Sequence, residues 1–421
     1  LKAVILAAGR GVRLQPLTEN RPKQMLPVAG KPIIGHILDG LRSVEVEQLI
    51  IVVGEMGEIL RRYVESLNLP FPVEYVRQLD PRGTGHAAAI AAERIGGESF
   101  LLLYGDVIPS PTILKMVSER YEECNLALIT ASNADELEGF GVVQASDGLL
   151  ERIVEKPSNL PLHGGLVNVG IYILTPEVLK DLDGVGVSPR GEIELTDALN
   201  VSAARGRVGV VQASKEDWIH IGYPWDLLKA NMRLLSRIST SISGDVEDGV
   251  RISGPVILGK DGVIRAGSIV EGPAFIGEGS KVGPNAYVRR FTFLDRGVRI
   301  GNACEVKNSI VMEGTKIPHL SYVGDSIIGC NCNIGAGTMV ANLRFDEAFI
   351  TATVKGERIS TGERKFGAVI GDNVRTGVNV SVMPGVKIGY GSWIGPGTVV
   401  SRDVPARTFV KAEQKLKYVE L

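Results

Sequence analysis

The chain has 421 residues, and its 46 Lys and Arg are almost matched by 48 Asp and Glu, for a formal charge of -2. That length implies two or three domains with buried cores, and the balance excludes binding of nucleic acid or an anionic membrane through bulk positive charge. Any phosphate binding has to be local, and no apolar run approaches the roughly 20 residues that cross a bilayer.

From residue 2 to about 230, short apolar runs (AVILAAG, QLIIVVG, SFLLLYGD) alternate with amphipathic stretches such as PIIGHILDGLRSV. The alternation predicts a mainly parallel sheet covered by helices. Ligands of such sheets sit beyond the carboxyl ends of strands, which points to AAGRG, GEMGE and YGD. The chain opens LKAVILAAGRGVRLQPLTENRPKQMLPVAGKP. A strand ending at Ala7 and Ala8 feeds the turn Gly9 to Arg13, whose glycines let backbone amides approach phosphate oxygens. Arg13 and Lys23 add positive charge where Glu19 is the only acid.

Residues 231–249, NMRLLSRISTSISGDVEDG, read as a helix running into a polar linker between domains 1–230 and 250–421. Beyond it an aliphatic residue recurs at every sixth position: Ile252, Leu258, Ile264, Val270, Ile276, Val282, Val288, Leu294, Ile300 and Val306. The rhythm resumes at Ile328, Ile334 and Val340, and again at Ile370, Val382, Ile388, Ile394 and Val400. Hexapeptide repetition predicts a parallel β-helix with three flat faces per coil and aliphatic side chains in its interior corners. The hexad fails in ANLRFDEAFITATVKGERISTGERKFG, which reads as a polar excursion. Cys124, Cys304, Cys330 and Cys332 lack the paired spacing of a zinc site. The CNC at 330–332 is either a metal site or a pair of core-filling thiols. No leader precedes the first strand, so a reducing cytoplasm is expected.

The string LAAGxGxRLxPLTxxxPKxxxPVxGKP resembles the sugar-1-phosphate nucleotidyltransferases. QLDPRGTGHA (78–87), LLYGD (102–106), GFGVV (139–143), IVEKP (153–157) and LVNVGIY (166–172) follow in that family's order. The resemblance implies a Rossmann-like α/β domain whose nucleotide and sugar site is lined by Leu6, Ala7, Ala8, Gly9, Gln78, Gly83, Thr84, Tyr104, Gly105, Gly141, Glu155 and Asn168. Arg13 and Lys23 would hold the triphosphate and Asp106 would carry Mg²⁺. Attack of a sugar phosphate on an α-phosphorus depends on positioning and on stabilising negative charge, which these residue types supply. Where the family has WxDxG this chain reads WIHIG, putting His220 at the second metal position. Imidazole is a poor ligand for Mg²⁺. Either Asp226 in YPWDLL or water supplies the missing oxygen, or another metal is used, or nucleotidyl transfer is weak.

The string CEVKNSIVMEGTKIPHLSYVGDSIIGCNCNIGAGTMVAN (304–342) resembles the acetyltransferase domain of bifunctional GlmU-type enzymes, in an archaeal-like branch with a left-handed β-helix. By that resemblance His319 is the general base for the amine of glucosamine-1-phosphate, and Arg289 and Lys307 hold its phosphate. Tyr322, Asn333 and Asn342 contact the sugar, Ala336 contacts acetyl-CoA, and Lys365 takes the remaining basic position. A backbone amide near GAGT would hold the thioester oxygen, since Val378 stands where bacterial members have serine. The plainer reading of His319 is a histidine capping a coil turn. His36, His86 and His163 are read as structural, and the tail KAEQKLKYVEL as solvated or touching a CoA phosphate.

The implied function is the acetylation of glucosamine-1-phosphate, followed by nucleotidyl transfer from UTP or dTTP to N-acetylglucosamine-1-phosphate. The implied state is a cytoplasmic homotrimer with the acetyltransferase site assembled between neighbouring copies. A single-function glucose-1-phosphate thymidylyl- or uridylyltransferase, and a non-catalytic regulatory subunit that binds nucleotide sugar, remain as alternatives.

Overall fold

A computed structural model describes residues 1–137, 139–157 and 163–420 of the chain. It divides into two compact units: Leu1–Arg10, Arg21–Met25 and Pro32–His220 form the first, and Gly11–Asn20, Leu26–Lys31 and Ile221–Leu421 the second.

The first unit is built on a nine-stranded sheet. Its strands are β1 (Lys2–Ala7), β4 (Leu49–Val53), β5 (Val73–Arg77), β6 (Phe100–Tyr104), β8 (Ala127–Glu136), β9 (Gly141–Ser146), β10 (Leu149–Glu155), β11 (His163–Leu174) and β12 (Val208–Ala213). The short strands β2 (Pro27–Val28) and β3 (Lys31–Pro32) pair with each other, and β7 (Val107–Pro109) pairs with β13 (Trp218–His220). The sheet order is β5-β4-β1-β6-β11-β8-β12-β10-β9. The first four strands are parallel, which requires crossover helices, and β11 runs antiparallel beside β6. Helices α1 (Ile33–Leu41), α2 (Gly57–Glu65), α3 (Thr84–Ile95), α4 (Pro111–Cys124), α5 (Pro176–Leu182) and α6 (Leu195–Ala203) make the connections. The apolar runs are continuous because parallel strands are covered on both faces: Leu49 to Val52 and Phe100 to Leu103 are all at most 2% exposed.

In the second unit, short strands stack into parallel sheets of eight, five, eight and three strands, most often 18 residues apart. Val270 pairs with Val288 and Val288 with Val306, each step being three hexads along the chain. The step is one residue short of three hexads where Val306 meets Val323 and Val323 meets Val340. Each shortening occurs at one corner, where Val306 is followed by Val311 and Val323 by Ile328, at the fifth position instead of the sixth. The hexad side chains form one buried interior. Ile252, 38% exposed, is the exception: its strand, Arg251–Ser253, is the open edge of its sheet. Strand pairing starts earlier than the polar composition suggested, at Ser241–Ile242, because such short strands need only backbone partners. The polar excursion holds the antiparallel hairpin Thr351–Val354/Glu357–Ser360 and tucks Ile350, Ala352 and Phe366 inside. Helix α7 (Pro224–Leu235) starts with Pro224 in its first turn, where a missing N–H costs nothing. Its buried Asn231 accepts from the Ala29 amide at 3.1 Å and donates to the Phe291 carbonyl at 2.8 Å.

Candidate active sites

In the first unit, parallel pairing sets Leu6 opposite Tyr104, so that β1 and β6 end side by side. The Gly105 amide donates to the Leu6 carbonyl at 3.0 Å. A Cβ at Gly105 would lie 2.6 Å from that oxygen, so the approach admits only glycine. Asp106 follows at once and forms an ion pair with Lys23. Tyr104 packs against Tyr172 with ring centroids 5.4 Å apart, and its hydroxyl bonds Tyr172 and Thr84. Burial pushes both phenols well above their ordinary range, so they act as neutral hydrogen-bonding groups. Asn168 donates to the Tyr172 hydroxyl at 2.6 Å, continuing this chain to the sugar-side residues. Gly141 pairs with Glu155 in the β9–β10 ladder. Arg190 reaches the Glu155 carboxylate at 3.4 Å and the buried Glu194 at 3.1 Å.

Thr84 opens α3, directly after Gly83, and accepts from the Leu195 amide at 3.2 Å. Gln78, only 4% exposed, has its amide nitrogen 3.0 Å from His86 Nδ1. Sequence reasoning treated His86 as structural and did not foresee this contact, for which the sequence carries no signal. His36 lies part-buried on α1, and the His163 side chain lies outside the described residues.

His220 ends β13, whose ladder sets it opposite Val107, and its Nε2 stands 3.9 Å from Asp106 Oδ2. The expected neighbour of Asp106 is therefore in place, with nitrogen instead of oxygen. Among the described residues no group of three or more His, Cys, Asp or Glu is arranged to hold a metal ion. Asp226 belongs to the second unit, where one carboxylate oxygen accepts from the Gly222 and Tyr223 amides at 3.0 and 2.8 Å, satisfying orphan donors at the start of α7. A single carboxylate still fits Mg²⁺, which keeps several waters and takes substrate phosphate oxygens as ligands. Arg13 belongs to the second unit, where its guanidinium lies over the Tyr223 ring, 5.2 Å from the centroid.

In the second unit, stacking makes neighbours of side chains that are a full turn apart in the chain. Arg289, Lys307 and Gly324 occupy one column: the Arg289 amide donates to Val306, and Lys307 pairs with Gly324. Two cations on adjacent strands repel each other. Here each has a carboxylate, Arg289 with Glu305 at 2.9 Å and Lys307 with Asp325 at 3.1 Å. Gly324 leaves the next place in the column free, and the Tyr322 hydroxyl and Asn342 amide fill the space a side chain there would need. Asn342 bonds the Tyr322 hydroxyl and donates to Asp325. Burial, and then the Asp325 charge, push the Tyr322 phenol up.

His319 is exposed at the end of Lys316–His319, one corner before Tyr322. The turn uses only its carbonyl, which accepts from Ser321 Oγ at 2.7 Å and the Gly337 amide at 3.3 Å. Its imidazole therefore does not cap the turn. Asn333 bridges Lys316 and Arg375 on the same face. Ala336 is half-buried, and its carbonyl accepts from the Asn379 amide at 2.8 Å. Lys365 is exposed where the excursion returns, in an isolated bridge with Leu343, and the next residue's amide donates to the Asn342 carbonyl. Sequence reasoning missed Asp325 altogether. Of the CNC thiols, Cys332 fills the core: it is 1% exposed, donates to the Gly371 carbonyl at 3.1 Å, and is pushed up to about 12 by burial, whereas Cys330 is half-buried.

A nucleotidyl transferase family model matches residues 2–237, and a GMPPB C-terminal domain model matches residues 270–376. The "Bifunctional protein GlmU" of Methanococcus maripaludis strain S2 is 45% identical over 99% of this chain and 98% of its own length. The protein of the same name from Methanocaldococcus jannaschii is 40% identical over 100% of both chains. The bifunctional sugar-1-phosphate nucleotidylyltransferase/acetyltransferase of Sulfurisphaera tokodaii is 41% identical over 98% of this chain and all of its own. Among solved structures, a UDP-glucose pyrophosphorylase complexed with UDP-glucose matches at TM-score 0.52 and 26% identity, covering 56% of this chain and 99% of that one. Similarity that runs end to end through both sets of converging residues places this chain in the GlmU-type family of bifunctional nucleotidyltransferases and acetyltransferases.

Proposed function

We propose that this chain makes UDP-N-acetylglucosamine in two steps, acetylating glucosamine-1-phosphate with acetyl-CoA and then transferring a uridylyl group from UTP to the product, with release of pyrophosphate. One observation carries the reading: a chain matched along its full length by bifunctional relatives holds two separate cation-lined clusters, Lys23 with Asp106 and Arg289 with Lys307. In the first, Lys23 holds the triphosphate, Gln78, Gly83 and Thr84 receive the base and ribose, and Gly141, Glu155 and Asn168 receive the sugar. Asp106 would hold Mg²⁺ together with phosphate oxygens, and the ion would neutralise charge on the reacting phosphates.

In the second, Arg289, Lys307 and Lys365 hold the substrate phosphate. His319 takes the proton as the amine attacks the thioester carbonyl, the C–S bond breaks, and CoA leaves as the thiol. The domain is read as a left-handed β-helix over 250–421, joined by 231–249 to a nucleotidyltransferase domain over 1–230, and the working form as a cytoplasmic homotrimer. Likeness of the first unit to UDP-glucose pyrophosphorylase favours a second reading, in which glucose-1-phosphate is the nucleotidyl acceptor.

Thiol release from acetyl-CoA with glucosamine-1-phosphate tests the acetyl step, and its absence in the wild type would remove that half. Pyrophosphate release from UTP or dTTP with a panel of sugar phosphates identifies the acceptor. Faster turnover of glucose-1-phosphate than of N-acetylglucosamine-1-phosphate would select the second reading.

A further inference from the structure

Asp325 has no counterpart in the chemistry assigned above, yet it sits at the centre of the second cluster. Its side chain is 5% exposed, and its carboxylate accepts from Lys307 Nζ at 3.1 Å, Asn308 Nδ2 at 2.7 Å and Asn342 Nδ2. A carboxylate this buried is costly unless it is paired and its oxygens are hydrogen-bonded, and three donors including an ammonium meet that requirement. The residue occupies the second of the shortened corners at φ 47°, one turn above Asn308 at φ 43° in the first. Few residues other than glycine enter this left-handed region easily, and Asp and Asn are among them.

We propose that Asp325 is a positioning residue for acetyl transfer, aiming Lys307 at the substrate phosphate and setting the face that Asn342 presents to the sugar. The proposal rests on the assignment of Lys307 and Asn342 as substrate contacts. An amide has donors on one side and an acceptor on the other. With the Asn342 nitrogen held by the carboxylate, its oxygen is turned away from Asp325, and one orientation is selected. An ammonium has three N–H donors, so Lys307 keeps two for a phosphate while one is tethered. Asn342 also bonds the Tyr322 hydroxyl, so one carboxylate orders three side chains of the site. Arg289 is held differently: its partner Glu305 is 34% exposed, in reach of water that can replace it.

The test is Asp325→Asn, which keeps the left-handed corner but cannot accept from all three donors. In the full-length chain, kcat/KM for glucosamine-1-phosphate should fall roughly 100-fold, the cost of misplacing a group by about an ångström. The KM for acetyl-CoA, the shape of the pH profile, and pyrophosphate release at the other site should stay unchanged. In a Lys307→Met/Asn342→Ala background the same substitution should cost less than about 3-fold, because the groups it aims are gone. A wild-type rate in Asp325→Asn, or an equal loss in both backgrounds, would overturn the proposal.

Should the single variant not fold, Lys307→Met is compared with Lys307→Met/Asp325→Asn, in which the buried charges leave as a pair. A further loss of about 10-fold, from the released Asn342, supports the proposal, and equal rates overturn it. If Lys307→Met and Asn342→Ala both retain full acetyl transfer, the substrate-contact assignment itself is at fault.

Discussion

The two clusters hold their cations by opposite arrangements. In the first unit Lys23 is paired with Asp106, the same carboxylate proposed to hold the metal, so one side chain serves both partners. In the second, Arg289 and Lys307 are paired with Glu305 and Asp325, which have no reacting role and can keep their partners throughout. A site on loops after strand ends can exchange partners as ligands arrive. A site on stacked turns is preset by its scaffold.

The largest effects should show whether the two sites are independent. Lys23→Met should lower pyrophosphate release by at least about 1,000-fold and leave thiol release intact, as expected when a group stabilising transferred charge is removed. His319→Ala should do the reverse, lowering thiol release by roughly 100- to 10,000-fold, the range for a lost general base. Loss of both activities in either variant would break the comparison. Gly105→Ala comes next. Its Cβ would lie 2.6 Å from the Leu6 carbonyl, so the β1 and β6 ends must part, and nucleotidyl transfer should fall roughly 100-fold with a lowered melting temperature.

His220→Asp should sharpen the contrast by giving Asp106 an oxygen-bearing neighbour. The Mg²⁺ concentration for half-maximal pyrophosphate release should drop by about 5-fold, and a rise would show that the imidazole serves better there. The smallest effect touches neither site. Burial lowers Lys387 to about 8, against a weaker opposing pull from Asp403. The folded chain thus binds this proton less tightly than the unfolded chain, and stability should rise as pH goes from about 8 towards 10.5. In melting curves Lys387→Met should be the more stable form at pH 7, with the difference shrinking through that window.

The sequence made some of this legible and hid the rest for identifiable reasons. The hexad period exposed the second domain because its interior corners take aliphatic side chains, whereas Arg289 and Lys307 were reached by resemblance and share one column only once the turns are stacked. The first site draws residues from Leu6 to His220 through crossover connections, which leave no period, so the strand-end rule reached AAGRG and YGD and motif resemblance had to supply the rest. The capping role of Asp226 was not legible because a capping carboxylate and a ligating one are the same in sequence. His86 and Asp325 were missed because a contact with Gln78, or with three donors at a corner, depends on side-chain direction. The visible trace of Asp325 was the shortened step from Val323 to Ile328.

That step makes the second site an irregularity in the count, which the excursion and the last turn, from Trp393 to Phe409, also break. Two turns, each lacking one residue, interrupt the three-hexad repeat at the corners that carry Asn308 and Asp325. Restoring the omitted residue at both corners would return the repeat to its own rule and move the aspartate off its neighbours. The result should be a more regular scaffold that no longer acetylates: the domain's chemistry lives in its irregularity, and a consensus-designed version would erase it.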